Sequence, residues 1–437
     1  MRNRAALTLA AVATLGAACG SSTSDPAPVV MMPAPPATDM PAATTTPTMP
    51  PPPAPLDHGA ISTKYPAFTP ATGQIQTKGG AILAKPVIVT VTWPNDAQAT
   101  DLETFGDTIG TGAYWTAITS EYGASAAVSG AANHLRLSDS LPASITDSAL
   151  AKLISDNLSA AGTTWPIPAT GNPVYVLYLP STTAVILQGQ DTCSAGIGGY
   201  HDSVDVKGNP VAYAIIPRCG NAPLEDSTLT ASHEIDEATT DPYPNGASAF
   251  HGFREEDLAW QQFLQNQDEV GDACEFFLDS VLSPGDSAAS PAYVVQRQWS
   301  NASGLAGHDP CVPEFTGEVY FNTTPLDMED IQVAVENSLT TAKGFKIPAG
   351  TKRQIPLGFY SEGATAPWTI KAVNATLGGG ALGDDITLAL DVTSGQNGQK
   401  AYLTVTVKTA SPSNSELVTI ISKSNGVTRY MPFLIGN

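Results

Sequence analysis

Basic residues are scarce in this sequence, which excludes one class of function. The 437 residues include 20 Lys and Arg against 41 Asp and Glu, and the formal net charge is −21. Charged residues make up only 14% of the chain, compared with roughly 25% in typical globular proteins. A protein that binds nucleic acid non-specifically uses Lys and Arg to displace counterions from the phosphates. We therefore expect no nucleic-acid partner.

Long apolar runs are also missing after the N-terminus, which excludes a polytopic membrane protein. The N-terminus itself has Arg2 and Arg4 followed by a short apolar stretch at 5–18. This pattern predicts a signal peptide over residues 1–18. The stretch ends at Cys19-Gly20 and resembles the lipobox of bacterial lipoproteins. The resemblance implies lipidation of Cys19, a lipid anchor as the membrane partner, and export to the bacterial outer membrane, on its surface or periplasmic side.

The segment that follows the predicted anchor is dominated by proline. Residues 26–55 contain 12 prolines, mixed mainly with Ala, Thr and Met. Such a composition cannot bury a core and favours extended polyproline II. We therefore expect residues 19–56 to form a disordered Pro/Thr-rich stalk that lifts a folded body off the membrane.

The first folded unit is expected at 57–313. A helix is predicted at 147–160, where Leu150, Leu153, Ile154 and Leu158 share one face, and a weaker one at 102–122. Continuous apolar runs, typical of buried strands, lie at 81–94, 174–180 and 211–217. Buried strands separated by helices predict an α/β or α+β domain whose sheet is covered on both faces.

The second folded unit is expected at 318–437. It contains no cysteine and no histidine, and no stretch of it predicts a helix. Short alternating strands recur about every dozen residues, at 331–335, 355–359, 368–373, 386–392, 401–407, 417–421 and 429–435. This spacing is typical of an all-β sandwich of the immunoglobulin-like kind. We assign this unit an accessory or adhesive role.

Four cysteines besides Cys19 lie in the first unit, and they allow three disulfide pairings. We favour Cys193–Cys219 and Cys274–Cys311, because each closes a short stretch of chain. A zinc–thiolate site needs close pairs such as C-x-x-C, and the sequence has none. Disulfides also agree with an oxidising compartment outside the cytoplasm.

The residues best suited to catalysis lie in a predicted helix at 228–240. His233 and Glu237 are one turn apart, so both side chains can bind one metal ion, as the two histidines of H-E-x-x-H do. Carboxylate oxygen is an acceptable zinc ligand. Glu234 would then lie beside the ion, where it could act as general base towards a bound water. The pattern predicts a zinc site with Glu234 as the catalytic residue.

The third metal ligand is left open by the sequence. His201 lies in a Gly-rich loop between two cysteines, and Glu269 lies in the acidic segment 268–275. Either would complete a three-ligand catalytic site. The acidic segment also fits a calcium site made of oxygen ligands. His251 is a further candidate for this ligand, but it has aromatic neighbours in the sequence, and we expect it to pack against them.

The order of these motifs resembles the EXORDIUM-like (phosphate-induced protein) family and its bacterial secreted relatives. The resemblance covers about residues 80–312 and rests on SHEIDEATTDP at 232–242, EVGDACE at 269–275 and QRQWSN at 296–301. Carried over position by position, it singles out His233, Glu234, Glu237, Asp241, Glu269, Asp272 and Cys274. It implies a metal site in which Asp241 and Asp272 support the ligands, within a secreted protein associated with cell walls.

Together these patterns predict metal-assisted hydrolysis of an extracellular polypeptide or of cell-wall material. A serine mechanism is disfavoured, because Ser232 and His233 are adjacent on a helix and point about 100° apart. The sequence also lacks a G-x-S-x-G nucleophile elbow. The alternative hypothesis is a non-catalytic, stalked surface lipoprotein that adheres through its sandwich, with a structural metal, a calcium site or none.

Overall fold

A computed structural model describes residues 55–335, 338–378, 382–409 and 415–436. The predicted signal peptide, the lipidation site Cys19 and almost all of the predicted stalk lie outside these residues. Among the described residues, none of the helices combines the length and apolarity needed to cross a membrane. His58–Asn437 form one compact unit.

The part of this unit before residue 313 mixes helices and strands. Its helices are α1 (Ala99–Ile109), α2 (Ala113–Thr119), α3 (Asp147–Ser159), α4 (Thr192–Ala195), α5 (Leu224–Thr240), α6 (Leu258–Phe263), α7 (Asp272–Glu275) and α8 (Asn301–Ala306). Its strands are β1 (Ile75–Thr77), β2 (Pro86–Thr92), β3 (His134–Arg136), β4 (Ser144–Thr146), β5 (Asn172–Tyr178), β6 (Ala184–Leu187), β7 (Gln190–Asp191), β8 (Tyr200–Val206), β9 (Asn209–Ile216), β10 (Phe250–Phe253), β11 (Val281–Leu282), β12 (Val295–Gln296), β13 (Gln298–Trp299) and β14 (Cys311–Val312).

A five-stranded sheet with the order β3-β2-β5-β9-β8 forms the centre of this part. The four strands from β3 to β9 are parallel, and β8 pairs antiparallel with β9 at the edge. The three apolar runs that the sequence predicts to be buried strands correspond to β2, β5 and β9. Because β9 leads directly into α5 and β8 lies beside β9, the sheet brings His201 on β8 close to the helix that carries the H-E-x-x-E motif.

Both faces of the central sheet are covered, as the continuous apolar strands predict. On one face, Val176 shares a core with Ile235 of α5. On the other face, its neighbour Leu177 shares a core with Leu150 and Ile154 of α3. The mixed α/β character expected from the sequence is therefore present, and α3 agrees with the predicted helix at 147–160 to within one residue.

The weaker helix predicted at 102–122 is wrong as a single element. The chain forms α1 and α2 instead, separated by residues 110–112. Gly112 has φ of 90°, a left-handed value that an α-helix cannot contain and that glycine adopts at little cost. The break lets α2 turn and place Tyr114 and Trp115 in the core.

The part after residue 318 is built from strands alone in the residues that the structure describes. They are β15 (Phe321–Pro325), β16 (Glu329–Val335), β17 (Ser338–Lys346), β18 (Lys352–Ser361), β19 (Trp368–Val373), β20 (Ile386–Leu390), β21 (Ser394–Gly395), β22 (Lys400–Val407), β23 (Ser415–Ser424) and β24 (Val427–Gly436). They form a four-stranded sheet, β15-β18-β22-β20, and a six-stranded sheet, β16-β17-β24-β23-β19-β21.

The two sheets share one hydrophobic core, in which Phe359 and Trp368 have ring centroids 5.4 Å apart. This core continues into the first part of the unit, where Phe263 of α6 lies 5.4 Å from Tyr430 of β24. Three of the strands, β15, β17 and the two-residue β21, are not predicted from the sequence. In β15 and β17, FNTTP and SLTTAKGFK lack a clear apolar alternation. Because the hydrophobic core is continuous, the strands after residue 318 pack directly onto the mixed α/β part.

The predicted cysteine pairing is confirmed. Cys193 is bonded to Cys219, and Cys274 is bonded to Cys311. The first disulfide joins α4 to the end of β9, and the second joins α7 to β14. Each disulfide therefore constrains a segment that lies close in sequence to a predicted metal ligand.

Candidate metal centre

The motif helix α5 is buried along its second half. It begins after Pro223, with Glu225 and Asp226 in its first turn, where negative charge is favourable because the N-terminus of a helix carries partial positive charge. Every residue from 231 to 240 is buried. Ala231, Ile235 and Ala238 pack on the sheet, and His233, Glu234 and Glu237 meet residues from β8 and from the 268–272 segment.

The two ring nitrogens of His233 have different partners. Nδ1 lies 3.1 Å from Oε1 of Gln296, and Nε2 of the same Gln296 donates to the Gly271 carbonyl at 2.8 Å. Because this second bond fixes the amide, Oε1 accepts a hydrogen bond from the Nδ1–H of His233. Nε2 of His233 then faces Glu237 Oε2 at 3.0 Å and Asp272 Oδ1 at 3.6 Å. Metal-bound histidines are typically held in this way, by a hydrogen bond from the nitrogen opposite the metal.

His201 on β8 is held in the same manner. Its Nε2 lies 3.1 Å from the backbone carbonyl oxygen of Asp241. A carbonyl oxygen can only accept a hydrogen bond, so Nε2 is the donor. Its Nδ1 faces Glu237 Oε2 at 3.5 Å and Glu234 Oε2 at 3.6 Å. Two imidazoles therefore direct a nitrogen towards one carboxylate oxygen of Glu237.

The acidic segment closes the other side of the cluster. The backbone N–H of Asp272 donates to Glu237 Oε1 at 2.9 Å. Gly271 permits this approach, because a Cβ there would lie 2.7 Å from Glu237 Oε1 and 2.8 Å from His233 Nδ1. The disulfide at Cys274 ties the end of the segment to β14. The segment is thus held against the motif helix by a backbone hydrogen bond and a covalent bond.

His251 does not pack only against its aromatic neighbours, as we expected from the sequence. Its Nδ1 lies 2.9 Å from Glu269 Oε1 and 3.3 Å from Asp241 Oδ2, and its Nε2 lies 3.7 Å from Asp268 Oδ1. The glycine that follows it, Gly252, has φ of 77°. Three of the six histidines of the chain thus converge on one set of carboxylates.

These side chains form three groups of three residues. In each group, every residue offers one nitrogen or oxygen atom to a metal, and the three atoms lie within 4.8 Å of one another. The groups are His233–Glu237–Asp272, His201–Glu237–Glu269 and Asp241–His251–Glu269. Ligand atoms on a tetrahedral ion with bonds of about 2.1 Å lie about 3.4 Å apart. The pairs described above within these groups, at 2.9 to 3.6 Å, span this value. Glu237 and Glu269 each belong to two groups.

The side chains of the cluster shift one another's pKa values. Burial disfavours the imidazolium forms, but nearby carboxylates hold the pKa of His201 and His233 well above the usual value, Glu269 having the largest effect on the first and Glu237 on the second. Burial raises the pKa of Asp272 well above its usual range. Glu237 has a lowered pKa despite its burial, because His233 and His201 favour its charge. The imidazoles and carboxylates of the cluster therefore shift one another's protonation equilibria.

Glu234, the predicted general base, is buried beside His201. It is 4% exposed, and its Oε2 has no hydrogen-bond partner among the described residues. Burial raises the pKa of its carboxyl group. Gly199 leaves room for it, because a Cβ there would lie 2.7 Å from Glu234 Oε1. A buried carboxylate with a raised pKa and a free oxygen is suited to accept a proton.

The structure brings together all the predicted site residues from His201 to Asp272. Of the two proposed third ligands, Glu269 and His201 both face Glu237, but they form their own group with it, and Asp272 completes the group that contains His233. Asp241, predicted as a supporting residue, orients His201 through its carbonyl.

Sequence reasoning assigns neither Gln296 nor His251 to the metal site. Gln296 is visible in the sequence only as part of the QRQWSN stretch at 296–301, and His251 is a candidate ligand that its aromatic neighbours lead us to expect in packing. A further group, His308–Glu314–Glu362, lies elsewhere and is more exposed.

No protein-family model matches the chain, and no curated protein matches it. Among solved structures, one chain of the complex between titin and an obscurin-like 1 immunoglobulin mutant is similar to part of it, at 10% identity and a TM-score of 0.15. That match covers 26% of this chain and 94% of the other.

Proposed function

We propose that this protein is an exported metal-dependent hydrolase whose ion, zinc by its ligand types, is held by His233, Glu237 and Asp272. His201 faces the same Glu237 oxygen from the other side. The observation that carries the proposal is the orientation of the two imidazoles. Each has one nitrogen hydrogen-bonded outward and the other directed at Glu237.

The mixture of nitrogen and oxygen donors supports zinc over calcium. Calcium is bound by oxygen atoms alone, whereas here the acidic residues face imidazoles: Asp272 faces His233, and Glu269 faces His251. Imidazole together with carboxylate suits zinc and related transition metals.

The chemistry divides between the ion and Glu234. A bound zinc ion acts as a Lewis acid, which polarises a carbonyl group or a water molecule. Glu234 would act as the general base, because its free oxygen and the raised pKa of its carboxyl group suit it to accept a proton. His201, 3.6 Å from Glu234 Oε2, would stabilise the carboxylate form before proton transfer.

The substrate class follows from location. We propose an extracellular polypeptide or cell-wall amide, since the disulfides agree with an oxidising compartment. Anchoring through Cys19 to the bacterial outer membrane, and kinship with the EXORDIUM-like family, are part of the same proposal. A Cys19→Ala variant should move from the membrane fraction to the soluble fraction if the anchor is correct.

A second candidate function is a structural metal site in a surface protein that adheres through its C-terminal strands. The burial of the cluster favours it, because Glu234 and Glu237 are each at most 4% exposed. Solvent reaches the cluster mainly at Asp272 and His251, whose side chains are 22% and 34% exposed.

The Glu234→Gln variant distinguishes the two functions. Metal content and hydrolysis of casein and of cell-wall fragments would be measured with and without a zinc chelator, for this variant and for Glu225→Gln, an exposed position on the same helix. A hydrolase requires that Glu234→Gln keep its metal and lose activity while Glu225→Gln keeps both. Metal in both variants with no chelator-sensitive hydrolysis in the unaltered protein would instead assign a structural role.

A further inference from the structure

The group at the exposed side of the cluster contains a carboxylate oxygen without a donor. Asp241 is fully buried, and its Oδ1 accepts the Ala249 backbone N–H at 2.7 Å. Its Oδ2 has no hydrogen-bond partner within the described part of the chain. Leaving a buried carboxylate oxygen unpaired is costly, so this atom needs a cation or a proton.

His251 does not supply that proton. Its Nδ1 is 3.3 Å from Asp241 Oδ2 but only 2.9 Å from Glu269 Oε1. A ring nitrogen carries at most one proton, and the shorter contact with Glu269 takes it. A metal ion between the three atoms would satisfy both carboxylates and the nitrogen at once.

The remaining contacts of His251 resemble those of a metal ligand. Its Nε2 faces Asp268 Oδ1 at 3.7 Å, and Asp268 in turn accepts a hydrogen bond from Gln261. A carboxylate behind the second ring nitrogen orients an imidazole towards a metal and increases its basicity. The ligand atoms, at 2.9 and 3.3 Å, are spaced close to the distance of about 3.4 Å expected around a tetrahedral ion.

We propose that Asp241, His251 and Glu269 bind a second divalent transition-metal ion. Glu269 also belongs to the group with His201 and Glu237, and Glu237 is a ligand of the first site, so Glu269 lies between the two sites. One nitrogen and two oxygen donors suit zinc or manganese. The inference goes beyond the proposed function, because none of Asp241, His251 and Glu269 is a ligand of the first site.

Metal stoichiometry tests the inference without an activity assay. The full-length protein in detergent would be stripped with chelator, loaded with zinc or manganese, desalted, and analysed for bound metal per chain. We expect two ions in the unaltered protein, one in His251→Ala and one in Asp241→Asn. His308→Ala, which removes a histidine from the exposed group elsewhere, should keep two, and circular dichroism would show that each variant is folded.

The other outcomes separate the two proposals. One ion in the unaltered protein and one in His251→Ala would overturn the second site and leave the first. No ion in the unaltered protein would overturn both. Two ions in His251→Ala and in Asp241→Asn, with one in His308→Ala, would assign the second ion to the exposed group and so also overturn the inference.

Discussion

Gln296 Oε1 lies 3.1 Å from His233 Nδ1, and this contact determines which nitrogen of His233 faces the carboxylates. The amide cannot rotate freely, because its nitrogen donates to the Gly271 carbonyl. A residue more than 60 positions from the motif therefore prepares the motif histidine for a metal, and the same contact joins the motif helix to the acidic segment.

Replacing Gln296 with Leu should weaken metal binding. The loss of an orienting partner of a metal-bound histidine typically costs 10- to 100-fold in affinity, and we expect a decrease of about that size. Zinc affinity would be measured by competition with a chromogenic chelator. Gln354→Leu, at an exposed position of β18, is the control. Equal affinities in the two variants would show that Gln296 does not orient the ligand.

Gly271→Ala should also damage the site. The added Cβ would meet Glu237 Oε1 and His233 Nδ1 at less than 3 Å, so the acidic segment must move away from the helix and take Asp272 with it. We expect zinc affinity to fall by at least tenfold. A Cβ added at Gly363 would have a Val319 methyl group as its nearest atom, at 3.5 Å. The control variant Gly363→Ala should therefore bind zinc with normal affinity. An unchanged affinity in Gly271→Ala would mean that the close approach is unimportant.

The elements that the sequence predicts well are those whose signal is local. Helix α3 and the strands β2, β5 and β9 have apolar patterns that identify them without knowledge of their neighbours. His233 and Glu237 were found for the same reason, since a separation of four residues on a helix fixes their relation. The broken helix at Gly112 and the polar strand β17 depend on tertiary packing, and were mistaken or missed.

The rest of the site depends on contacts between distant parts of the chain. His251 has no motif of its own. The pairing of β10 with β1 and a hydrogen bond from the Gly252 backbone N–H to the Asp268 carbonyl, at 3.0 Å, hold it beside Glu269. No periodicity reports such a contact. The third ligand could not be chosen from sequence because both candidates, His201 and Glu269, are close to Glu237 in space.

Removing the Cys274–Cys311 disulfide should lower both stability and metal affinity. The bond closes a separation of 37 residues, which corresponds to about 4 kcal/mol of unfolding free energy by loop entropy. Cys274 lies two residues after Asp272, so a Cys274→Ala, Cys311→Ala variant should also bind zinc less tightly. Urea denaturation and chelator competition would measure the two effects.

The other disulfide provides the comparison for this variant. Cys193–Cys219 closes 26 residues and contributes a similar entropy, about 3.5 kcal/mol, but Cys193 is farther in sequence from His201 than Cys274 is from Asp272. If its removal lowered zinc affinity as much as removal of Cys274–Cys311, the effect would be one of general stability, not of local constraint on Asp272.

Asp309 makes a pH-dependent contribution to folding stability, at the junction with the C-terminal strands. Its Oδ2 lies 2.8 Å from Arg297 Nη2 and 3.0 Å from Arg429 Nη2. Burial opposes ionisation, but the two guanidinium groups hold the pKa of Asp309 below its usual value. A lowered folded-state pKa contributes stability above the unfolded pKa of about 3.9, and this stability is lost as the pH falls through the folded value.

Asp309→Asn should therefore reduce the free energy of unfolding at pH 7 by about 3–5 kcal/mol, because it leaves buried Arg297 without its closest carboxylate. The difference in unfolding free energy between this variant and the unaltered protein should stay constant from pH 7 to pH 5 and become smaller below about pH 4. Urea denaturation at pH 7, 5 and 3 measures it. Asp156→Asn, which breaks an exposed pair with Lys152, should change stability by less than about 1 kcal/mol at every pH. A gap for Asp309→Asn that persists undiminished at pH 3 would show that the carboxylate charge does not provide this stability.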